Sequence, residues 1–167
     1  HLTLSTVGIV PGIDRLAREG LPVTLAVSLH AANDTLRDRL VPINKRYPLA
    51  DLMAACRRWK DTTGRRISFE WAMIAGVNDS PVDAEELARL ATPLRAHVNL
   101  IPLNATDGMP AEASTVASID HFRAVLTGAG TTVTVRSNRG TDIDAACGQL
   151  AAGEPVRLTS RSDSATR

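Results

Sequence analysis

The cysteine nearest the end of the chain lies among small residues. Ala145 and Ala146 precede Cys147, and Gly148 follows it, so a ligand can approach both the sulfur and the backbone closely. A cysteine that serves only packing behaves as a small hydrophobe among bulkier neighbours. We therefore interpret Cys147 as a reactive thiol, and a thiol packed beneath a helix is the alternative.

Cys56, the other cysteine, lies in a different pattern. Large apolar residues recur around it at spacings of three and four positions, namely Leu49, Leu52, Met53 and Trp59. Side chains with this spacing share one face of a helix, which makes Cys56 a buried hydrophobe. The two different settings argue against a disulfide and indicate a reducing compartment.

Polar residues follow three of the predicted strands. The first strand ends in the segment 5–8, beginning with Ser5, the second ends in Ser28-Leu29-His30, and the fourth ends at Asn104. Carboxyl ends of parallel strands meet at one edge of a sheet, where ligands bind. Hydroxyl, imidazole and amide groups converging there suit a polar, nucleoside-like ligand. Each group can instead bond only within its own loop.

No metal ligands are assigned, because no second His or Cys lies at ligand spacing from His30. The densest basic cluster consists of Arg57, Arg58, Lys60, Arg65 and Arg66. A phosphate contact is the functional interpretation of this cluster, and a solvated helix end is the structural one.

Short β-branched runs alternate with longer helical patterns, which is typical of βα units around a largely parallel sheet. The predicted strands are 2–7, 23–29, 66–74, 98–103 and 131–136. The predicted helices are 11–19, 34–40 capped by Asn33, 49–62, one from Pro81 capped by Ser80, and one capped by Ser114 that ends at Gly128 or Gly130. The sequence therefore predicts an α/β fold.

The overall composition predicts one domain over residues 1–152 and a disordered tail over 153–167, where apolar residues become scarce. A net charge of +1 neither requires nor excludes a nucleic-acid partner. No apolar run approaches the roughly 20 residues needed to cross a bilayer, and no signal peptide opens the chain. We expect a cytoplasmic protein without a membrane partner. Because the chain begins with His1, we also expect it to be a piece of a longer protein.

Five sequence blocks occur in a fixed order: LTLSTVG at 2–8, SLHAAND at 28–34, LRDRLVPINK at 36–45, NLIPLN at 99–104, and RGTDIDAACGQL at 139–150. Together they resemble the C-terminal half of the RlmN/Cfr family of radical S-adenosylmethionine RNA methyltransferases. SLH continued through VPINK, together with the closing AACGQL, carries most of the resemblance.

The resemblance implies the C-terminal part of a partial (βα) TIM-like barrel of radical SAM type, with mostly parallel strands. It implies binding of S-adenosylmethionine and a 4Fe-4S cluster, and methylation of carbon 2 of an adenine in 23S rRNA and in tRNA. An electron donor would serve the cluster. Matched position by position, the cofactor-contacting residues are Ser5, Ser28, Leu29, His30 and Asn104. Cys147 matches the cysteine that is itself methylated.

The family chemistry explains the need for a thiol, because carbon 2 of adenine is too electron-poor to attack a methylsulfonium. In the family, one S-adenosylmethionine methylates the thiolate, and a second yields a radical that removes hydrogen from the S-methyl group. The carbon radical then adds to the base. The same thiol serves carbon 8 methylation in related enzymes, and carbon 2 is the activity we favour.

The chain also departs from the family pattern. The cluster motif C-x3-C-x2-C, the resolving cysteine, a catalytic Glu and a Gly-Glu cofactor segment, all upstream in the family, are absent from the sequence. Two cysteines cannot supply three cluster ligands and a methyl carrier. We therefore expect the chain alone to be inactive, with its cluster ligands in a missing N-terminal part. The alternative is a non-catalytic half-barrel that binds RNA or a nucleotide.

Overall fold

The structure is a computed structural model that describes residues 2–103 and 111–136. The strands are β1 (Leu2–Thr6), β2 (Val23–Ser28), β3 (Ile67–Met73), β4 (His97–Pro102) and β5 (Thr132–Val135). The helices are α1 (Val10–Arg18), α2 (Asp34–Leu40), α3 (Leu49–Thr63), α4 (Pro81–Leu94) and α5 (Val116–Gly128). A short 3₁₀ helix, Pro42–Lys45, joins α2 to α3.

The strands form a single parallel sheet in the order β1-β2-β3-β4-β5. Sequential parallel strands joined by helices are the pattern of an opened barrel wall, so the predicted α/β fold is confirmed. Every predicted strand boundary lies within one residue of the observed boundary. None of the helices in the described ranges is long and apolar enough to cross a membrane.

The two faces of the sheet differ in chemistry. One face packs beneath α1, α3, α4 and α5 in a core that includes Leu25, Phe69, Trp71, Val98 and Leu100. Because side chains alternate between faces along a strand, the intervening residues project from the opposite face. We call that side the polar face, and its members include Ser5, Ala26, Ser28, Ser68, Glu70, Ala72, His97, Asn99 and Thr134.

The residue that caps α5 differs from the prediction. Thr115, not Ser114, is the N-cap, because Thr115 Oγ1 accepts the backbone N–H of Ser118 at 3.1 Å. The Ser114 hydroxyl instead donates to Asp79 at 2.8 Å. Ser and Thr are both common N-cap residues, so adjacent candidates are not separated by residue type, and the Ser114 assignment was wrong by one position. The predicted domain boundary at 152/153 lies outside the described residues.

β1 forms one edge of the sheet and pairs only with β2 among the described residues. Its side chains lack a neighbour on the other side, and Leu2 is 66% exposed. An unpaired strand edge is a template for pairing with another strand. We therefore expect the isolated chain to be prone to aggregation.

Candidate functional site

Ser5 and Ser28 project from the polar face of neighbouring strands but at different heights. Ser5 pairs with Ala26, two residues before Ser28 in β2. At about 3.3 Å per residue, the two hydroxyls lie roughly two residues apart along the strand direction. Ser28 itself lies level with Glu70 of β3. The structure thus brings both predicted hydroxyls to one face, with Ser28 nearer the carboxyl edge.

His30 follows β2, and one nitrogen of its ring is held by a hydrogen bond to the backbone. Its backbone is left-handed, with φ of 59°, and its side chain is 6% exposed. Nδ1 accepts the backbone N–H of Ala72 at 2.9 Å. Because Nδ1 is the acceptor, the ring proton of the neutral imidazole lies on Nε2.

The charge state of His30 follows from its surroundings. Burial and, to a smaller extent, the nearby Arg37 cation together lower the pKa of His30 to about 4. The imidazole is therefore neutral at physiological pH. Among the described residues, the structure gives Nε2 no hydrogen-bond partner, which leaves an N–H donor beside the carboxyl edge.

Asn78 fixes the same edge and was not identified from the sequence. It is fully buried, and its Nδ2 donates to the carbonyl oxygens of His30 at 2.8 Å and Ala72 at 2.7 Å. Its Oδ1 accepts the N–H of Ile74 at 2.8 Å. One amide thus joins the ends of β2 and β3. A lone Asn in a turn before a helix carries no signal for this role, because asparagine is common in turns.

Leu29 contributes through its backbone. Its side chain is fully buried in the core. Its N–H donates to Glu70 O at 3.0 Å, and its carbonyl oxygen accepts from Arg37 Nε at 3.1 Å. These bonds hold Ser28 and His30 on either side of it. The predicted cofactor contact of Leu29 stays a prediction.

A hydrogen-bonded cluster on the polar face adjoins Ser28 and was also missed. Glu70 Oε1 accepts from Ser68 Oγ at 2.8 Å and from Asn99 Nδ2 at 2.8 Å. His97 Nε2 lies 3.0 Å from Asn99 Oδ1, and Thr134 Oγ1 donates to the same oxygen. The alternation of polar and large apolar residues in β3 carries the signal for this face. The carboxylate of Glu70 therefore lies on the strand next to Ser28, with its orientation set by neighbours.

Cys56 is buried as expected. Its side chain is fully enclosed in the core, and burial raises the pKa of the thiol to about 12. Such a thiol carries no thiolate at neutral pH, so it is a poor nucleophile and a poor metal ligand. The prediction of a packed thiol at this position is confirmed.

The basic cluster lies away from the site, near the end of α3 and the start of β3. Arg58 forms two hydrogen bonds with Asp14, at 2.9 and 2.8 Å, and Lys60 donates to Leu94 O at 2.6 Å. The start of β3 is at the amino edge of the sheet, opposite Ser28. Two of the five basic side chains thus serve contacts between structural elements.

Two predicted site residues, Asn104 and Cys147, lie outside the described residues. Within the described ranges, no three His, Cys, Asp or Glu side chains are grouped so that they could hold a metal ion. The described part of the chain therefore does not fit an iron-sulfur cluster. It does offer hydroxyl, imidazole and backbone groups at one edge of a parallel sheet.

No protein-family model matches the chain. The chain is 58% identical over 156 residues to the probable dual-specificity RNA methyltransferase RlmN of Parafrankia sp., a match that covers 93% of this chain and 40% of that protein. It is 52% identical over 161 residues to the dual-specificity RNA methyltransferase RlmN of Anaeromyxobacter dehalogenans, covering 94% of this chain and 43% of that protein.

Solved structures agree with these relatives. A radical SAM methyltransferase from Sphaerobacter thermophilus matches with a TM-score of 0.82 and 58% identity, over 90% of this chain and 44% of that chain. A domain of pyruvate-formate lyase-activating enzyme from Bacteroides vulgatus, with a TM-score of 0.65 and 15% identity over 82% of this chain and 81% of that one, shares the fold. By sequence and by fold the chain is therefore similar to RlmN enzymes and to a radical SAM methyltransferase, and it spans about two fifths of the length of the curated relatives that it matches.

Proposed function

We propose that this chain is the C-terminal part of a radical SAM enzyme that methylates carbon 2 of an adenine in 23S rRNA and in tRNA. The observation that carries the proposal is the arrangement at the end of β2. There a polar-face hydroxyl, Ser28, adjoins a neutral imidazole, His30, whose Nδ1 is already engaged by Ala72. The remaining N–H is a directed donor at the edge where parallel sheets bind ligands.

The described residues fit S-adenosylmethionine by their chemistry. The ligand carries ribose hydroxyls, ring nitrogens and an amino-acid group, all of which form hydrogen bonds. Ser5, Ser28 and His30 would hold it, Leu29 would fix the backbone between the last two, and Asn104 joins them by resemblance. When bound, S-adenosylmethionine supplies the methyl group and the precursor of a radical.

The iron-sulfur cluster needs ligands that this chain does not supply. Its cysteines are Cys56 and Cys147, and the first is buried with a raised pKa. We therefore assign the 4Fe-4S ligands, and the contact of the electron donor, to the remainder of a longer protein. We expect this chain alone to be inactive, and we expect the complete enzyme to act in the cytoplasm, where RNA and reduced thiols are present.

We assign the role of methyl carrier to Cys147. Its sulfur would hold the methyl group as S-methylcysteine until the carbon is joined to the base. A resolving cysteine outside this chain would then release the RNA by forming a disulfide with Cys147. Its sequence neighbours Ala146 and Gly148 are small, which suits the close approach of a nucleobase to the sulfur.

The test compares two cysteine variants of the full-length protein that carries this sequence. Cys147→Ala should abolish methyl transfer from S-adenosylmethionine to RNA while RNA binding is retained. Cys56→Ala is the matched control, because it removes a thiol from the core, and it should keep methyl transfer with some loss of stability. Methyl transfer is measured by isotope incorporation, and RNA binding is measured by filter retention at several salt concentrations.

Retained methyl transfer by Cys147→Ala would contradict the carrier role. Binding of RNA without methylation by the wild-type holoenzyme would favour the non-catalytic binding module instead.

A further inference from the structure

The guanidinium of Arg37 binds the carboxyl ends of two neighbouring strands. Arg37 lies in α2 and is fully buried. Its Nη2 donates to the carbonyl oxygens of Val7 at 2.8 Å and Ser28 at 3.2 Å, and its Nε donates to Leu29 O at 3.1 Å. Arginine donors form a rigid planar fork. One side chain therefore sets the position of the end of β1 relative to the end of β2.

Asn44 holds this guanidinium from the other side. Arg37 Nη1 donates to Asn44 Oδ1 at 2.9 Å. Asn44 Nδ2 in turn donates to Asp34 at 2.9 Å and to Asp38 at 2.7 Å. None of the ion pairs among the described residues involves Arg37. The carboxylates of Asp34 and Asp38 thus contact the Asn44 amide rather than the guanidinium. The Nε and Nη2 donors of Arg37 remain directed at the carbonyl oxygens of the strand ends.

The loop after β1 passes close to the guanidinium of Arg37. Gly8 has φ of +105°, a conformation that residues with side chains rarely adopt. A Cβ at Gly8 would lie 3.2 Å from Arg37 Nη2 and 3.2 Å from Leu52 Cδ2. The backbone of this loop therefore contacts the guanidinium directly, with no space for a side chain between them.

We propose that Arg37 is a positioning residue for cofactor binding, which sets the distance between the strand ends that carry Ser5 and Ser28. The inference rests on the proposed function, because it takes these hydroxyls to be contacts of S-adenosylmethionine. Hydrogen bonds weaken steeply once the donor and acceptor move apart. A displacement of about 1 Å at a binding group can cost up to about a hundredfold in function.

The position of His30 gives the proposal a second support. His30 follows directly after Ser28 and Leu29, whose carbonyl oxygens Arg37 binds, so its place at the edge depends on those bonds. The Arg37 cation also contributes, after burial, to the lowered pKa of His30. The same side chain thus fixes the backbone of the site and favours the neutral imidazole.

The test measures both the dissociation constant and the number of S-adenosylmethionine sites by equilibrium dialysis. It uses the cluster-loaded full-length holoenzyme without reductant. Arg37→Lys keeps the charge but loses the fork, and it should raise the dissociation constant by about tenfold or more, with the number of sites per folded protein unchanged. Arg58→Lys is the matched control, because Arg58 also bonds two elements together but lies away from the site. It should change the constant by less than about twofold.

A purely structural role would lower the number of competent sites and leave the dissociation constant of the remainder unchanged, which would overturn the proposal. If Arg37→Lys does not fold, as judged by circular dichroism, Asn44→Ala decides the question. This variant keeps the guanidinium but removes the Asn44 acceptor that holds it, so it should also raise the dissociation constant of S-adenosylmethionine. An unchanged dissociation constant would overturn the proposal. Failure of the wild-type holoenzyme to bind S-adenosylmethionine would instead reject the proposed function.

Discussion

His30 Nδ1 accepts the backbone N–H of Ala72 at 2.9 Å, and this bond joins the end of β2 to β3 by a side chain. β2 ends at Ser28, so the imidazole provides the acceptor for a backbone donor of β3 beyond that point. The left-handed backbone of His30 brings the ring into this position. The same ring thereby closes the sheet edge and presents Nε2–H at the site.

Two substitutions at His30 should distinguish the contribution of its hydrogen-bond acceptor from that of its left-handed backbone. His30→Ala leaves the N–H of Ala72 buried without a partner and places Ala in a left-handed conformation, so we expect a loss of about 2 to 4 kcal/mol in the free energy of unfolding. Asn adopts this conformation more readily and retains an acceptor. His30→Asn should therefore lose less, as measured by urea denaturation. Equal losses for the two variants would contradict this account of the site.

The stability of the protein should fall as the pH decreases from 6.5 toward 4. The pKa of His30 is lowered from 6.5 to about 4 in the folded protein, so the unfolded chain binds the extra proton first across this window. The contribution is fully present above pH 6.5 and is lost progressively down to pH 4. The shift corresponds to roughly 3 kcal/mol.

Carboxylates also titrate in this range, so the matched comparison is His30→Asn. The difference in unfolding free energy between wild type and His30→Asn should shrink as the pH decreases from 6.5 to 4. A difference that is constant across the window would show that His30 does not titrate in this way.

Asn78→Ala should be strongly destabilising. It removes three hydrogen bonds from a fully buried amide and leaves the carbonyl oxygens of His30 and Ala72 without that donor. At about 1 to 3 kcal/mol for each unsatisfied buried group, we expect a loss of more than about 3 kcal/mol in the free energy of unfolding. Asn33→Ala is a useful comparison, because Asn33 caps α2 near the surface, and its loss should cost about 1 kcal/mol.

The two cysteines should differ in reactivity toward iodoacetamide. Cys56 is fully buried, with a pKa raised to about 12, so it should remain unmodified in the native protein at about pH 8. Cys147 should react under the same conditions, and both should react in denaturant. Mass spectrometry of the peptides identifies each site. Modification of native Cys56 at the rate of Cys147 would contradict the assignment.

The sequence predicted the fold more closely than the supporting residues of the site. Runs of β-branched residues bounded by Gly and Pro define the strands. Ser28 and His30 were predicted as site residues because polar groups at parallel strand ends face one edge, and their role stays a prediction. Arg37 and Asn78 were missed for a physical reason. A charged residue in a helix rich in Asp and Arg predicts solvent exposure, and sequence spacing does not reveal which backbone carbonyls need a buried donor.

The identity of the methylated nucleoside tests the central claim most directly. The full-length holoenzyme would be incubated anaerobically with reductant, isotope-labelled S-adenosylmethionine, and transcripts of 23S rRNA or tRNA. The RNA would then be digested to nucleosides and analysed by mass spectrometry against synthetic standards. The account predicts labelled 2-methyladenosine from the wild-type enzyme. Label in 8-methyladenosine, or no methylated adenosine from an enzyme that binds S-adenosylmethionine, would contradict it.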